Sequence, residues 1–402
     1  MSKSYDFKEK IDHESIRTNA VYSDGQFIWT DDIIIGGIYT IDKFTFDVKC
    51  VIDPAQMFKY GKFIVISIFQ WKNYIIVVPD ALDKSWILYD KINDTVHYKR
   101  ICTFKWRSSG LYFAGENMYL TPVKADDPIV VISSEKLSFV HLVKDWWKKG
   151  VADDNHPLEI WNLAGVTSEN TLYFYIYNTK YIVEVNKKNA VLHFIEHIPY
   201  GIVSISYSDG EIWVLPKKGN YIYVLNEKSL ELHTIHLTSA KQEISAGYFS
   251  RIIAAERYVF MLPRSDSKIY VYDKQEECIK IIGIEDKKIK NLFPILCGET
   301  YWESCFETNK VYFMPLMNQL IIIDMETLMW ESKEIYLPSS IRNFGLMYWF
   351  SWNKCFVKDA IGGEIDEKSL KIYCQITEKD VRSYERLSIN NGKKIWEGIN
   401  YG

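Results

Sequence analysis

The chain has 402 residues, of which 48% are apolar and 15% aromatic, including 28 Tyr, 20 Phe and 13 Trp. That length suits a large core or several domains, and the aromatic share favours pleated, half-buried surfaces. A formal net charge of −4, with both signs interspersed, lacks the basic excess that nucleic-acid binding needs, and 20 Gly with 11 Pro exclude a collagen-like or low-complexity chain.

Residues 1–16, "MSKSYDFKEKIDHESI", are charged and read as an N-terminal arm or short helix. They have no apolar core, so no secretory signal is expected. From residue 17 onward one pattern recurs. It is an apolar strand, a short turn, a second strand, then an Asp, Asn or Ser, a few polar residues and a further strand. The first copy is "GQFIWTDDIIIGGIYTIDKFTFDVKCV" and the second "YIIVVPDALDKSWILYDKINDTVHYKRI". Later copies include "GEIWVLPKKGNYIYVLNEKSLELHTIHL" and "YVFMLPRSDSKIYVYDKQEECIKII". The last and weakest of eight is "KCFVKDAIGGEIDEKSLKIYCQI".

Two residue types keep the register of these copies. The first is a turn starter after the third strand: Asp42, Asp90, Ser133, Asn186, Asn226, Asp273, Asp324 and Asp366. Such side chains bond the backbone two residues on and so begin a turn. The second is proline after an apolar run, at Pro79, Pro122, Pro216, Pro263 and Pro315. Proline has no N–H for a ladder, which predicts a strand end. Each copy also has an upstream strand, joined by hairpin signals such as Asp24-Gly25 and Asp209-Gly210.

Four strands repeating every 40 to 50 residues or so predict an all-β propeller over residues 17–377. Eight blades are favoured over seven. A pair of β-sandwiches would not keep a four-strand register. The blade pattern resembles kelch-like and PQQ-type propeller repeats. The Gly-Gly pair of kelch blades is missing from most copies, and the Gly-His and Trp-Asp marks of WD40 blades are missing, so no functional residue carries over. Residues 378–402 read as a helical tail packed on the propeller, with Thr377 and Asp380 at capping spacing and a stop at Asn391-Gly392.

The links between blades are long and unequal, and such loops are usually functional when they are not disordered. Propeller topology puts them on one face, at the mouth of the central channel. Trp146, Trp147, Trp161, Trp302, Arg251 and Arg342 are the candidate ligand-binding residues there. The tryptophans either form an aromatic platform or pin loops and blade edges. The arginines either fork onto a carboxylate or phosphate or bridge blades. His156 beside Asp153 and Asp154, and Cys305 beside Glu303, fit a turn and a buried thiol better than a catalytic group. The pairs His193/His197 and His233/His236 fit edge positions better than a metal site.

The expectation is therefore a binding or scaffold protein that holds a peptide, protein or small polar ligand on its long-loop face. The alternative is a hydrolase or lyase acting on a sugar or peptide in the central funnel. No cofactor or metal is expected, since no ligand set has the spacing. Seven cysteines without a CxxC pair, and apolar runs too short to span a bilayer, point to a reducing, cytoplasmic setting.

Overall fold

The computed structural model describes residues 18, 20–32, 36–57, 64–124, 127–144, 165–176, 179–186, 189–198, 200–239, 242–263, 268–283, 302–306, 309–315 and 319–338. Within them lie seven four-stranded antiparallel sheets, each a simple meander in chain order. Blade 1 spans 21–52, blade 2 65–99, blade 3 108–143 and blade 4 165–194. Blade 5 spans 202–236, blade 6 249–283 and blade 7 302–334. The first strand of blade 1, Val21–Ser23, packs against the first strand of blade 7, Trp302–Phe306, so the ring closes on seven blades. The expectation of eight is corrected by that contact. The eighth repeat, with Asp366, lies outside the described residues, as do residues 1–16 and 378–402.

The middle strands read as unbroken apolar runs because both of their faces are buried. In Tyr258–Pro263 of blade 6, Tyr258, Phe260 and Leu262 pack with Val311 and Phe313 of blade 7. The alternate residues Val259 and Met261 pack with Trp213 and Leu215 of blade 5. The same period-2 division builds an apolar layer at each successive seam from blades 1 and 2 to blades 6 and 7. Fourth strands have one face and one edge toward solvent, and they are accordingly mixed, as in Thr95–Lys99 and Trp330–Glu334.

Each turn starter ends the third strand of its blade, from Asp42 through Asp324. Asp42 Oδ1 accepts from the backbone N–H groups of Phe44 and Thr45 at 2.8 and 3.0 Å. Asn226 Oδ1 takes Lys228 and Ser229, and Asp324 Oδ1 takes Glu326 and Thr327. In six of the seven blades the chain enters the left-handed region four residues after the starter, at Phe46, Asp94, Leu137, Leu230, Glu277 and Leu328, with φ between 49 and 63°. None of the six is glycine. In these six blades the turn is thus one conformation, set by its side-chain cap and not by a permissive residue.

In blades 2, 5 and 6 the residue after the starter reaches the preceding blade and meets the third residue of that blade's second strand, and in blade 7 it packs in the same layer as that residue. Lys91 Nζ lies 6.0 Å from the Trp29 ring centroid and Lys274 Nζ 5.1 Å from that of Trp213. Glu227 Oε1 accepts from Tyr173 OH at 3.3 Å, and Met325 packs in the layer that holds Phe260. Lys91 also donates to Asp24, and Lys274 to Ser208 and Asp209, in the hairpin turns beside these rings.

Candidate functional site

In a four-strand meander the turns joining strands one to two and three to four fall at one end. The two-to-three loops and the links between blades fall at the other. The turn end carries only short turns. The link end varies from the short connection 195–201 to the long one 144–164. The mouth of the central channel at the link end is therefore the candidate site.

Prolines shape that mouth. Pro79, Pro122, Pro216, Pro263 and Pro315 are each the last residue of a second strand. In blades 2, 3, 5 and 6 the first strand carries one extra residue at this level, namely Ile66, Ser109, Val203 or Ser250. A proline offers no N–H to the ladder, and a bulge there leaves the pairing intact beyond it. The residues just past the four bulges are Ser67, Gly110, Ser204 and Arg251. Three are small, and Arg251 alone of the four is large and charged.

Arg251 is half-buried and pairs with Leu262. It shares a side of its strand with Ile253, which packs against Val311 and Phe313 of blade 7. Its guanidinium therefore belongs to the seam between blades 6 and 7, at the link end. Trp302 opens the first strand of blade 7 opposite Pro315, at the same end of the neighbouring innermost strand. Trp146, Trp147, Trp161 and Arg342 lie outside the described residues, as do Asp153, Asp154 and His156. Of the histidines weighed from sequence, His193 Nε2 lies 2.8 Å from Glu184 Oε2 in the same blade, and His236 Nε2 lies 2.8 Å from Asn220 Nδ2. Both belong to outer strands, far from the innermost ones. Among the described residues no three His, Cys, Asp or Glu side chains gather as a metal would need.

Two polar groups at this end were not singled out from the sequence. Asp80 is buried, accepting from Ile64 N–H at 2.8 Å and from Arg107 Nε at 2.6 Å. It ties both inter-blade links that flank blade 2. Asp31 is also buried and accepts from Ala20 N–H at 2.8 Å and Thr18 Oγ1 at 3.3 Å. The signal for both was an aspartate directly ending an apolar run, in "VVPD" and "FIWTD". Nearby, Ser109 Oγ and Thr121 Oγ1 lie 3.0 Å apart at the bulge of blade 3. Burial, with Asp32 beside it, pushes the Tyr39 phenol well above its ordinary value, and its OH donates to Gly36 C=O at 3.0 Å. Chemically the described part of the mouth holds the partly buried Ser109 hydroxyl on blade 3 and the Arg251 guanidinium on blade 6.

No family model and no curated protein matches the chain. Solved structures do. Virginiamycin B lyase from Staphylococcus aureus, determined with quinupristin, is 13% identical with a TM-score of 0.54, over 76% of this chain and 94% of the lyase. The computationally designed protein Ika8 is 10% identical with a TM-score of 0.50, over 81% of this chain and 89% of Ika8. At such identities the likeness is one of fold: this chain is a β-propeller.

Proposed function

We propose that this propeller is a binding scaffold that holds a peptide, protein or small polar ligand at the link-end mouth, near blades 6 and 7. The observation that carries the reading is Arg251, a charged residue in a register position that the other bulged strands fill with Ser or Gly. A guanidinium at a channel mouth suits a carboxylate or phosphate. Trp302, Trp146, Trp147, Trp161 and Arg342 complete the proposed surface, with aromatic faces for the apolar part of the ligand. The protein acts in a reducing compartment, which the odd number of cysteines supports.

The test compares the two faces. Arg251→Ala with Arg342→Ala is set against Phe44→Ser with Ile92→Ser on the turn face. The proteins that the wild type retains from a cell extract are identified by mass spectrometry, and the melting temperature of each variant is measured. Loss of the retained set in the arginine variant alone, at unchanged melting temperature, supports the reading. A large drop in melting temperature would make the arginines inter-blade struts. Loss in the turn-face variant alone would move the binding surface to the other side.

A further inference from the structure

At the outer rim between blades 6 and 7, toward the turn end, a cleft of about 480 Å³ opens. Ligand pockets begin at a few hundred cubic ångströms, so it has room for one bulky side chain and its flanking backbone. Ile282, Leu328 and Trp330 contribute an apolar patch to a lining that is otherwise mostly polar. One wall carries Arg257 and Lys280.

These two cations share two carboxylates of different character. Asp273 is fully buried and anchors both, with Arg257 Nη2 and Lys280 Nζ each 2.9 Å from its Oδ2. Glu276 also meets both, Arg257 at 3.4 Å and Lys280 at 2.9 Å, but its side chain is 52% exposed on the turn tip. Removing Glu276 would leave two cations facing one internal anion beside the patch of Leu328 and Trp330. Arg257 also lies over the Tyr258 ring at 4.9 Å, which holds its planar fork in place. On the opposite wall stands Glu326, held by Asn309 Nδ2 at 3.3 Å. Its negative charge disfavours a dianion such as phosphate over a single carboxylate.

We infer that this cleft is a carboxylate-recognition site whose anion position is filled by the protein's own Glu276. The ligand chemistry that fits is the free C-terminal carboxylate of a peptide ending in a bulky apolar residue. The incoming carboxylate takes the place of Glu276 on Arg257 and Lys280, and the terminal side chain covers Leu328 and Trp330. Asp273 stays in place and keeps both cations preorganised. The site is on the turn side of the rim and is independent of the link-end mouth.

The test is calorimetric titration of the full chain with N-acetyl-Gly-Gly-Leu, and with the same peptide as its C-terminal amide. Glu276→Gln removes the internal competitor without emptying the wall. It should tighten binding of the acid about tenfold over wild type and leave the amide non-binding. Arg257→Ala should abolish binding. Because that variant strips a partner from buried Asp273, its fold is checked by circular dichroism, and Trp330→Ala serves as a second loss variant with the ion cluster intact. Unchanged or weaker binding of the acid by Glu276→Gln, equal binding of the amide, or no binding to any variant at millimolar peptide overturns the inference.

Discussion

Lys43 of blade 1 holds its ammonium 5.8 Å from the ring centroid of Tyr312 in blade 7. The two positions are those that pair Lys91 with Trp29 and Lys274 with Trp213 at interior seams. The junction between the last described blade and the first thus uses the same pairing as those two seams. Lys333 over Phe46 at 5.1 Å adds a second contact across it.

A cation over an aromatic face contributes about 0.5–1 kcal/mol at such sites. A double-mutant cycle with Lys43→Met and Tyr312→Leu, read by urea unfolding, should give a coupling of that size. The same cycle on Lys274 and Trp213 should give a similar value. Zero coupling at Lys43 with normal coupling at Lys274 would mean that blades 1 and 7 do not meet as described.

The left-handed turn position allows opposite outcomes from one substitution. A non-glycine residue there costs about 1–2 kcal/mol of backbone strain. Glu277 is exposed at φ 51°. Glu277→Gly should therefore raise the unfolding free energy by roughly 0.5–1 kcal/mol, after the entropy of the added glycine. Leu137 has the same φ class but is fully buried in the layer between blades 2 and 3. Leu137→Gly should lower stability by about 2–5 kcal/mol, since a core leucine is lost. Stabilisation at both sites would show that strain, and not packing, decides this position.

Acid should unfold the ring through its turn starters. Backbone N–H groups of Thr45 and Phe44 hold Asp42 below the usual carboxylate range, and those of Thr327 with its hydroxyl do the same for Asp324. For Asp273 burial pushes the carboxyl up. Arg257, Lys280 and two backbone N–H groups outweigh it and hold the group well down. A carboxylate lowered in the folded state stabilises it above the unfolded value of about 4, and that stability is lost as pH falls through the folded value. Unfolding free energy should fall steeply below about pH 4. Asp273→Asn should be less stable at neutral pH and show a shallower acid slope. A slope equal to that of wild type would separate Asp273 from the acid transition.

The blade repeat was legible because its chemistry is local. A turn after Asp42 or Asn226 needs one acceptor in one place, and a strand ending at Pro216 needs one missing donor. The number of blades was not local. It depends on which first strand meets Trp302–Phe306 across nearly the whole chain, and Val21–Ser23 carries no mark of that partnership. The left-handed residues were hidden for a different reason. Phe46, Leu230 and Leu328 are poor formers of that conformation in isolation, and only the capped turn forces it. At the mouth, sequence alone placed Arg251 near the channel but not on a side of its strand. The bulge at Ser250 shifts the alternation by one residue, and only the pairing of Arg251 with Leu262 fixes which seam it faces. The aromatic loop residues are not among those described.

Hydrogen bonds link the innermost strands of blades 5 and 6. Ser204 Oγ and Ser206 Oγ accept from the backbone N–H groups of Ile252 and Ala254, at 3.2 and 2.8 Å. Two hydroxyl-to-main-chain hydrogen bonds therefore run between these innermost strands, which pack together more extensively than any other described innermost pair. In a ring of repeats, cooperativity is set by the coupling between neighbours. Blades 5 and 6 should accordingly open and close as one unit. Under rising denaturant the ring should part elsewhere first, and the amides of Ile252 and Ala254 should be among the last to exchange with solvent.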